Sequence, residues 1–173
     1  YPPEIEGGLD IHIKHLVEGL RRRDIETTLL LPEEKAPDED FIRPVELGDG
    51  DMKMKARRMS AEVAEIASEF DTVHTHDWFG AESGFKAKKY ADVSWITTFH
   101  SLSSGRNRNP SGDIERLEKV AAEHSDGLIA VSDKLSGEVE DRFGRRPRTV
   151  HNGFSTPSST GCDVRNRLDI SEE

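Results

Sequence analysis

Five short segments hold the polar residues whose types and spacing could do chemistry: Gly7-Gly8 ahead of an amphipathic stretch, His76-Asp77, His100-Ser101, Ser132, and Asn152-Gly153. Paired glycines let a backbone approach a ligand closely, and a helix starting behind them directs N–H groups and its positive dipole end outward. Gly7-Gly8 could therefore receive an anion such as a phosphate, although the same dipeptide opens many ordinary helices. His100 can donate a hydrogen bond to a ligand oxygen or, protonated, offset phosphate charge; it can equally bond only its own loop. Asp77 is a candidate functional carboxylate or a cap for the helix after it. Arg106 and Arg108, in the polar segment following His100, could clamp a phosphate or stay solvated.

Other chemistries are poorly supplied. His74 and His76 are two apart on a strand and face one side, so a metal pair is geometrically possible. No third ligand stands at a recognisable spacing, so no metal is expected; His74 is read as packed within the sheet, with His76 and Asp77 emerging at its edge. The single cysteine, Cys162, lies in a polar tail and can form neither an internal disulfide nor a zinc cluster. There is no Gly-x-Ser-x-Gly elbow, and Ser132-Asp133 fits a helix start better than a triad. A Walker loop and a Gly-x-Gly-x-x-Gly fingerprint are also absent, which removes the usual signals of hydrolases and dehydrogenases.

The elements that must position these residues follow from periodicity. Leu9, Ile13, Leu16, Val17 and Leu20 fall at helical spacing, with His12, Lys14 and Glu18 mostly off that stripe, which predicts a helix from about Gly8 to Arg23. Glu26 to Leu31 reads as a short buried strand closed by Pro32, and a proline-broken acidic loop after it holds one weak strand around Phe41 to Leu47. Beyond these come a helix from Met52 to Phe70, a strand from Thr72 to His76, a helix from Phe79 to Tyr90 and a strand from Ser94 to Phe99. A flexible segment, Ser101 to Asn109, leads to a helix from Asp113 to His124, a strand from Gly127 to Val131, a helix from Asp133 to Phe143 and a last strand from Arg148 to His151. This alternation predicts an α/β, Rossmann-like fold: a mostly parallel sheet with helices on both faces. In such sheets the ligand lies beyond the carboxyl ends of the strands, where His76, Asp77, His100 and Asn152 fall.

Composition narrows the partners. With 34 acidic and 24 basic residues the net charge is −10, which argues against nucleic acid and anionic membrane as partners. A salt-adapted source is one reading of that balance and a solvated surface the other. No apolar run approaches the roughly 18 residues of a membrane span, and a cytoplasmic location is expected. The chain starts at Tyr1 with residues that look like a loop following an absent strand, and Ser155 to Gly161 has linker composition. The expectation is one domain over residues 1–155, with residues 156–173 leading into a missing carboxyl-terminal domain.

Five segments, in this order, resemble the amino-terminal domain of glycosyltransferase family 4, the group of bacterial glycogen synthases and sucrose-phosphate synthases. They are Tyr1 to Gly8, Val73-His74-Thr75-His76-Asp77-Trp78, Thr97-Thr98-Phe99-His100-Ser101-Leu102, Glu123 to Ser132, and Val150-His151-Asn152-Gly153-Phe154. The resemblance implies the acceptor-side, amino-terminal half of a GT-B fold. It also implies retaining transfer of a sugar from a nucleotide diphosphate sugar to a sugar or sugar-phosphate acceptor, without a cofactor and generally without a metal. On this resemblance Gly7 and Gly8 place amides near the donor diphosphate, His100 lies against the transferred sugar and diphosphate, and Asp77 lies near the acceptor or transferred sugar. The donor-gripping residues belong to the carboxyl-terminal domain, so this chain alone is expected to be inactive. His151-Asn152-Gly153-Phe154-Ser155 departs from the family's usual Pro-Asn-Gly ending, and Asp24 stands where a glycine usually ends the first helix. Two other functions stay open: a non-catalytic sugar-phosphate binding or assembly module, and a GT-B nucleotide-sugar epimerase.

Overall fold

The structure is a computed structural model that describes residues 7–106 and 112–153. Its helices are α1 (Gly8–Arg21), α2 (Met52–Ile66), α3 (Ala81–Ala91), α4 (Ser103–Arg106), α5 (Gly112–His124) and α6 (Asp133–Phe143). Its strands are β1 (Leu29–Pro32), β2 (Ile42–Val45), β3 (Thr72–His76), β4 (Ser94–Phe99), β5 (Gly127–Ala130) and β6 (Arg148–Thr149). Every strand pairing is parallel, as the alternation of strands and helices requires.

The expected single sheet is divided. Among the described residues β3-β4-β5-β6 form one four-stranded sheet and β1-β2 a separate pair. Pro44 lies inside β2, which among the described residues pairs with β1 alone; an edge strand tolerates a residue that cannot donate to the ladder.

Several boundaries move for identifiable reasons. The first helix ends at Arg21 rather than Arg23 because Asp24 adopts a left-handed φ of 58°, and Ile25 N then donates to the Leu20 carbonyl at 3.2 Å. That is the turn a glycine would serve, here made by one of the few other residues that tolerate it. The second long helix ends at Ile66 and tightens into a 3₁₀ turn, Ala67–Glu69. A second 3₁₀ turn, Trp78–Gly80, precedes α3. The segment after His100, expected as a flexible loop, is helical from Ser103 to Arg106. Asp51 and Ser132 cap their helices, accepting from Met54 N at 2.8 Å and Leu135 N at 3.2 Å.

The main core lies between the four-stranded sheet and its helices, around Trp95, Phe99, Leu128 and Val139. Thr97, Thr98 and Phe99 are consecutive and all buried. Since successive strand residues point to opposite faces, β4 is covered on both sides. Trp95 is wholly buried, and its indole N–H donates to Thr75 Oγ1 at 2.8 Å while Thr75 Oγ1 donates to Thr97 Oγ1 at 3.1 Å. Gly84 is where α3 crosses the indole: a Cβ there would overlap the Trp95 ring. A smaller cluster of Val45, Leu47 and Met59 joins β2 to α2 and reaches Phe79. The sheet and helices therefore fix the carboxyl ends of β3 and β4 firmly side by side.

Candidate functional site

The register of the central strands brings the expected residues together. His76 on β3 lies opposite Thr98 on β4, and Asp77 N extends the ladder by donating to the Thr98 carbonyl at 2.9 Å. His76 and His100 consequently leave the sheet at one edge, with His76 Nδ1 3.2 Å from His100 Nε2. One of these nitrogens donates and the other accepts, according to tautomer.

Of the two readings of Asp77, the helix cap is not the one the structure shows: Asp77 does not cap the turn that follows it. Its carboxylate, almost fully buried, accepts the backbone N–H of His100 at 2.7 Å and of Ser101 at 3.3 Å through Oδ1. It does so from a backbone at φ 51°, ψ −165°, a region that L-residues rarely occupy. Strained backbone at a sheet edge, held by hydrogen bonds to the neighbouring strand end, fixes where the His100 ring starts from.

Four histidines converge here. His74 stacks on His76 with ring centroids 4.6 Å apart, and its Nε2 is 2.8 Å from Thr98 Oγ1. His12, from α1, contacts the His100 ring edge-on at 4.6 Å and the His76 ring at 5.6 Å. Burial lowers the pKa of His74 to about 4 and that of His76 well below the ordinary value, with the neighbouring imidazoles adding to the effect. His12 is lowered too, chiefly by burial and then by His15, while hydrogen bonding to Asn152 pulls the other way. At neutral pH these three rings are uncharged, able to donate or accept but carrying no positive charge. His74 and His76 are both half-buried; His76 lies at the sheet edge as expected, and His74, stacked on it, is less enclosed than expected.

His12 and Glu118 are the residues that sequence reasoning missed as site components. The signal for His12 was its place off the apolar stripe, one turn after Gly8, but nothing in the helix itself says which distant strand end it meets. Glu118 on α5 is buried and accepts the Ser103 N–H at 2.6 Å and hydroxyl at 2.8 Å, holding the start of α4 just after His100. Burial raises its pKa, against the pull of those bonds.

The glycine loop is less open to an anion than its sequence implies. Gly7 N donates to Asp10 Oδ2 at 2.9 Å, and Asp10 N donates back to the Gly7 carbonyl at 3.2 Å. A carboxylate thus occupies one of the amides expected to face a phosphate. Neither glycine is needed for packing: a Cβ on Gly7 or Gly8 would meet nothing within 4 Å. Arg106 ends α4, and Arg108 and Cys162 lie outside the described residues. Asn152, in the segment after β6, is near enough to His12 to pull its pKa upward. Ser132 is a helix cap, as expected.

Among the described residues no helix is long and apolar enough to cross a membrane. The chain is 31% identical over 167 residues to the alpha-maltose-1-phosphate synthase of Mycobacterium tuberculosis, covering 90% of this chain and 43% of that protein. It is 27% identical over 173 residues to an uncharacterized glycosyltransferase of Methanocaldococcus jannaschii, covering 90% of this chain and 44% of the relative. The chain therefore spans less than half the length of these relatives. The solved sucrose-phosphate synthase of Thermosynechococcus elongatus superposes with a TM-score of 0.73 at 17% identity, over 95% of this chain and 48% of that one, a likeness of fold. That agrees with the Rossmann-like architecture of a GT-B amino-terminal domain. The family model for Glycosyltransferase Family 4 matches residues 6–157, which take in every described residue, and the chain belongs to that family.

Proposed function

We propose that this chain is the acceptor-side half of a retaining glycosyltransferase, which moves a sugar from a nucleotide diphosphate sugar to an acceptor hydroxyl. The donor-gripping groups then come from a carboxyl-terminal half across a cleft. The observation that carries the reading is the convergence of His12, His76 and His100 at one sheet edge, with Asp77 fixing the His100 backbone. Family membership supplies the class of reaction, and the strand-end location is where an α/β sheet binds its ligands.

In this reading the acceptor oxygen bonds to the anomeric carbon on the face from which the diphosphate departs, and the acceptor proton leaves with the diphosphate. Among the described residues the site holds no pair of nearby carboxylates suited to a double displacement; Asp77 already serves the His100 backbone. Its residues instead position groups and stabilise charge. His100 faces the transferred sugar and diphosphate, His76 orients the His100 ring, and the open space above Gly7-Gly8 admits the donor phosphates, with the Gly7 amide released from Asp10 on binding. Asp77 acts through His100 as a positioning residue, which revises the direct role expected of it. Arg106 and Arg108, ahead of α5, are assigned to the acceptor side, and no cofactor is required.

The test uses the intact protein with a panel of nucleotide diphosphate sugars and sugar or sugar-phosphate acceptors. Transfer should preserve the anomeric configuration of the donor. His100→Ala should lower turnover by about two to four orders of magnitude, the scale of a lost charge-stabilising contact in the transition state. Binding of sugar phosphates with no transfer would leave a binding module, and an inverted product would remove the retaining assignment.

A further inference from the structure

Three imidazoles from separate parts of the chain meet at the sheet edge, and one ring nitrogen of each of His12, His76 and His100 lies within 4.8 Å of the others. His76 Nδ1 and His100 Nε2 are 3.2 Å apart. Two ligands of a tetrahedral zinc ion, with Zn–N about 2.0–2.1 Å, sit roughly 3.4 Å from one another, so this pair already has the required spacing. Bringing His12 into the same shell takes a ring movement on the order of an ångström. All three side chains are partly exposed, which leaves a way in for an ion. His12 Nε2 is buried without a hydrogen-bond partner among the described residues, a costly condition that a metal would relieve.

We infer that His12, His76 and His100 form a binding site for a divalent transition-metal ion of the zinc class, with further coordination positions open to water or a ligand. The donor set points to the ion. Three imidazoles without a carboxylate suit zinc, nickel or copper, and are poor ligands for the oxygen-seeking magnesium and calcium. The surroundings are those of a supported site: Asp77 holds the His100 backbone and His74 stacks on His76. An ion here would tie α1 to the ends of β3 and β4. It would also engage His100, so metal occupancy should oppose sugar transfer; that last consequence rests on the transferase reading.

The experiment is a titration of the intact, chelator-stripped protein with Zn²⁺ alone by calorimetry, and with Co²⁺ alone by visible absorption. One Zn²⁺ should bind per chain, and Co²⁺ should give the visible bands of four- or five-coordinate nitrogen ligation. His12→Gln and His76→Gln should each weaken Zn²⁺ at least tenfold and abolish the Co²⁺ bands, while His15→Gln, which is not in the cluster, should leave both unchanged. Circular dichroism verifies that the variants are folded; should either fail to fold, the Co²⁺ spectrum of the unaltered protein still decides. Absence of those bands, undiminished binding in the folded variants, or equal loss in His15→Gln overturns the site. In a transfer assay Zn²⁺ should inhibit at the concentration at which it binds. A protein that binds Zn²⁺ through these residues but transfers no sugar keeps the metal site and loses the transferase reading, and one that transfers sugar but binds no Zn²⁺ does the reverse.

Discussion

On the proposed reading Asp77 matters to the site without reacting in it. Its side chain accepts the backbone N–H groups of His100 and Ser101 while its own backbone sits at positive φ. Asparagine keeps an amide oxygen in the same place and has the same side-chain shape, so it meets the same backbone strain. Asp77→Asn should therefore retain turnover within about tenfold of the parent, since the geometry and not the charge is used. Asp77→Ala should cost about 2–4 kcal/mol in urea unfolding, the loss of buried bonds to a charged acceptor. A collapse of turnover in a stable Asp77→Asn protein would return the carboxylate to direct chemistry. His74 gives the pH prediction. Its folded pKa, about 4, lies below the ordinary 6.5. Between those values the unfolded chain binds more protons, so stability is fully present above about pH 6.5 and falls as pH drops toward 4. The full effect is on the order of 3 kcal/mol. Urea midpoints between pH 7.5 and 4.5, in chelator, should decline less steeply for His74→Gln; an equal decline would place the effect elsewhere.

At the scale of elements, the site depends on β3 and β4 being in register and on α3 pressing against them. Gly84 lets α3 reach the Trp95 indole, whose N–H is bonded to Thr75 one residue before His76. Gly84→Ala would push the helix off the ring and should destabilise by about 3 kcal/mol, at the upper end for overpacking in a core. A thermal melt checks it, and a change under 1 kcal/mol would mean the helix shifts freely. These strands were legible in the chain because β3 and β4 are bounded by turn residues and carry short runs of β-formers. Thr72–His76 and Ser94–Phe99 have the limits expected of them, as does Asp133–Phe143. The weak strand near Phe41 was real but shorter, Ile42–Val45, and α4 went unread because four residues are too few for a helical period. Glu118 was unread for another reason: a glutamate on a helix normally faces water, and only the nearby Ser103 amide and hydroxyl give it a reason to be inside.

For the whole molecule, charge and topology act at different levels. A net charge of −10 does not choose a fold, but it sets the molecule against polyanions. The protein should pass through a heparin column unretained at about 50 mM salt, where counterion-release binding is strong; retention would reveal a cationic face that the net charge hides. The sequence by itself determined the order of the strands and of the long helices, their parallel pairing and the residues at the strand ends. Those follow from local periodicity and from the handedness of β-α-β connections. The tertiary structure alone decided that the strands divide into two sheets and that His12 joins His76 and His100. It alone also decided that Asp77 serves the His100 backbone and that Asp10 occupies the Gly7 amide. Periodicity says which face of an element is polar, whereas the partner that face meets depends on the packing of segments far apart in the chain.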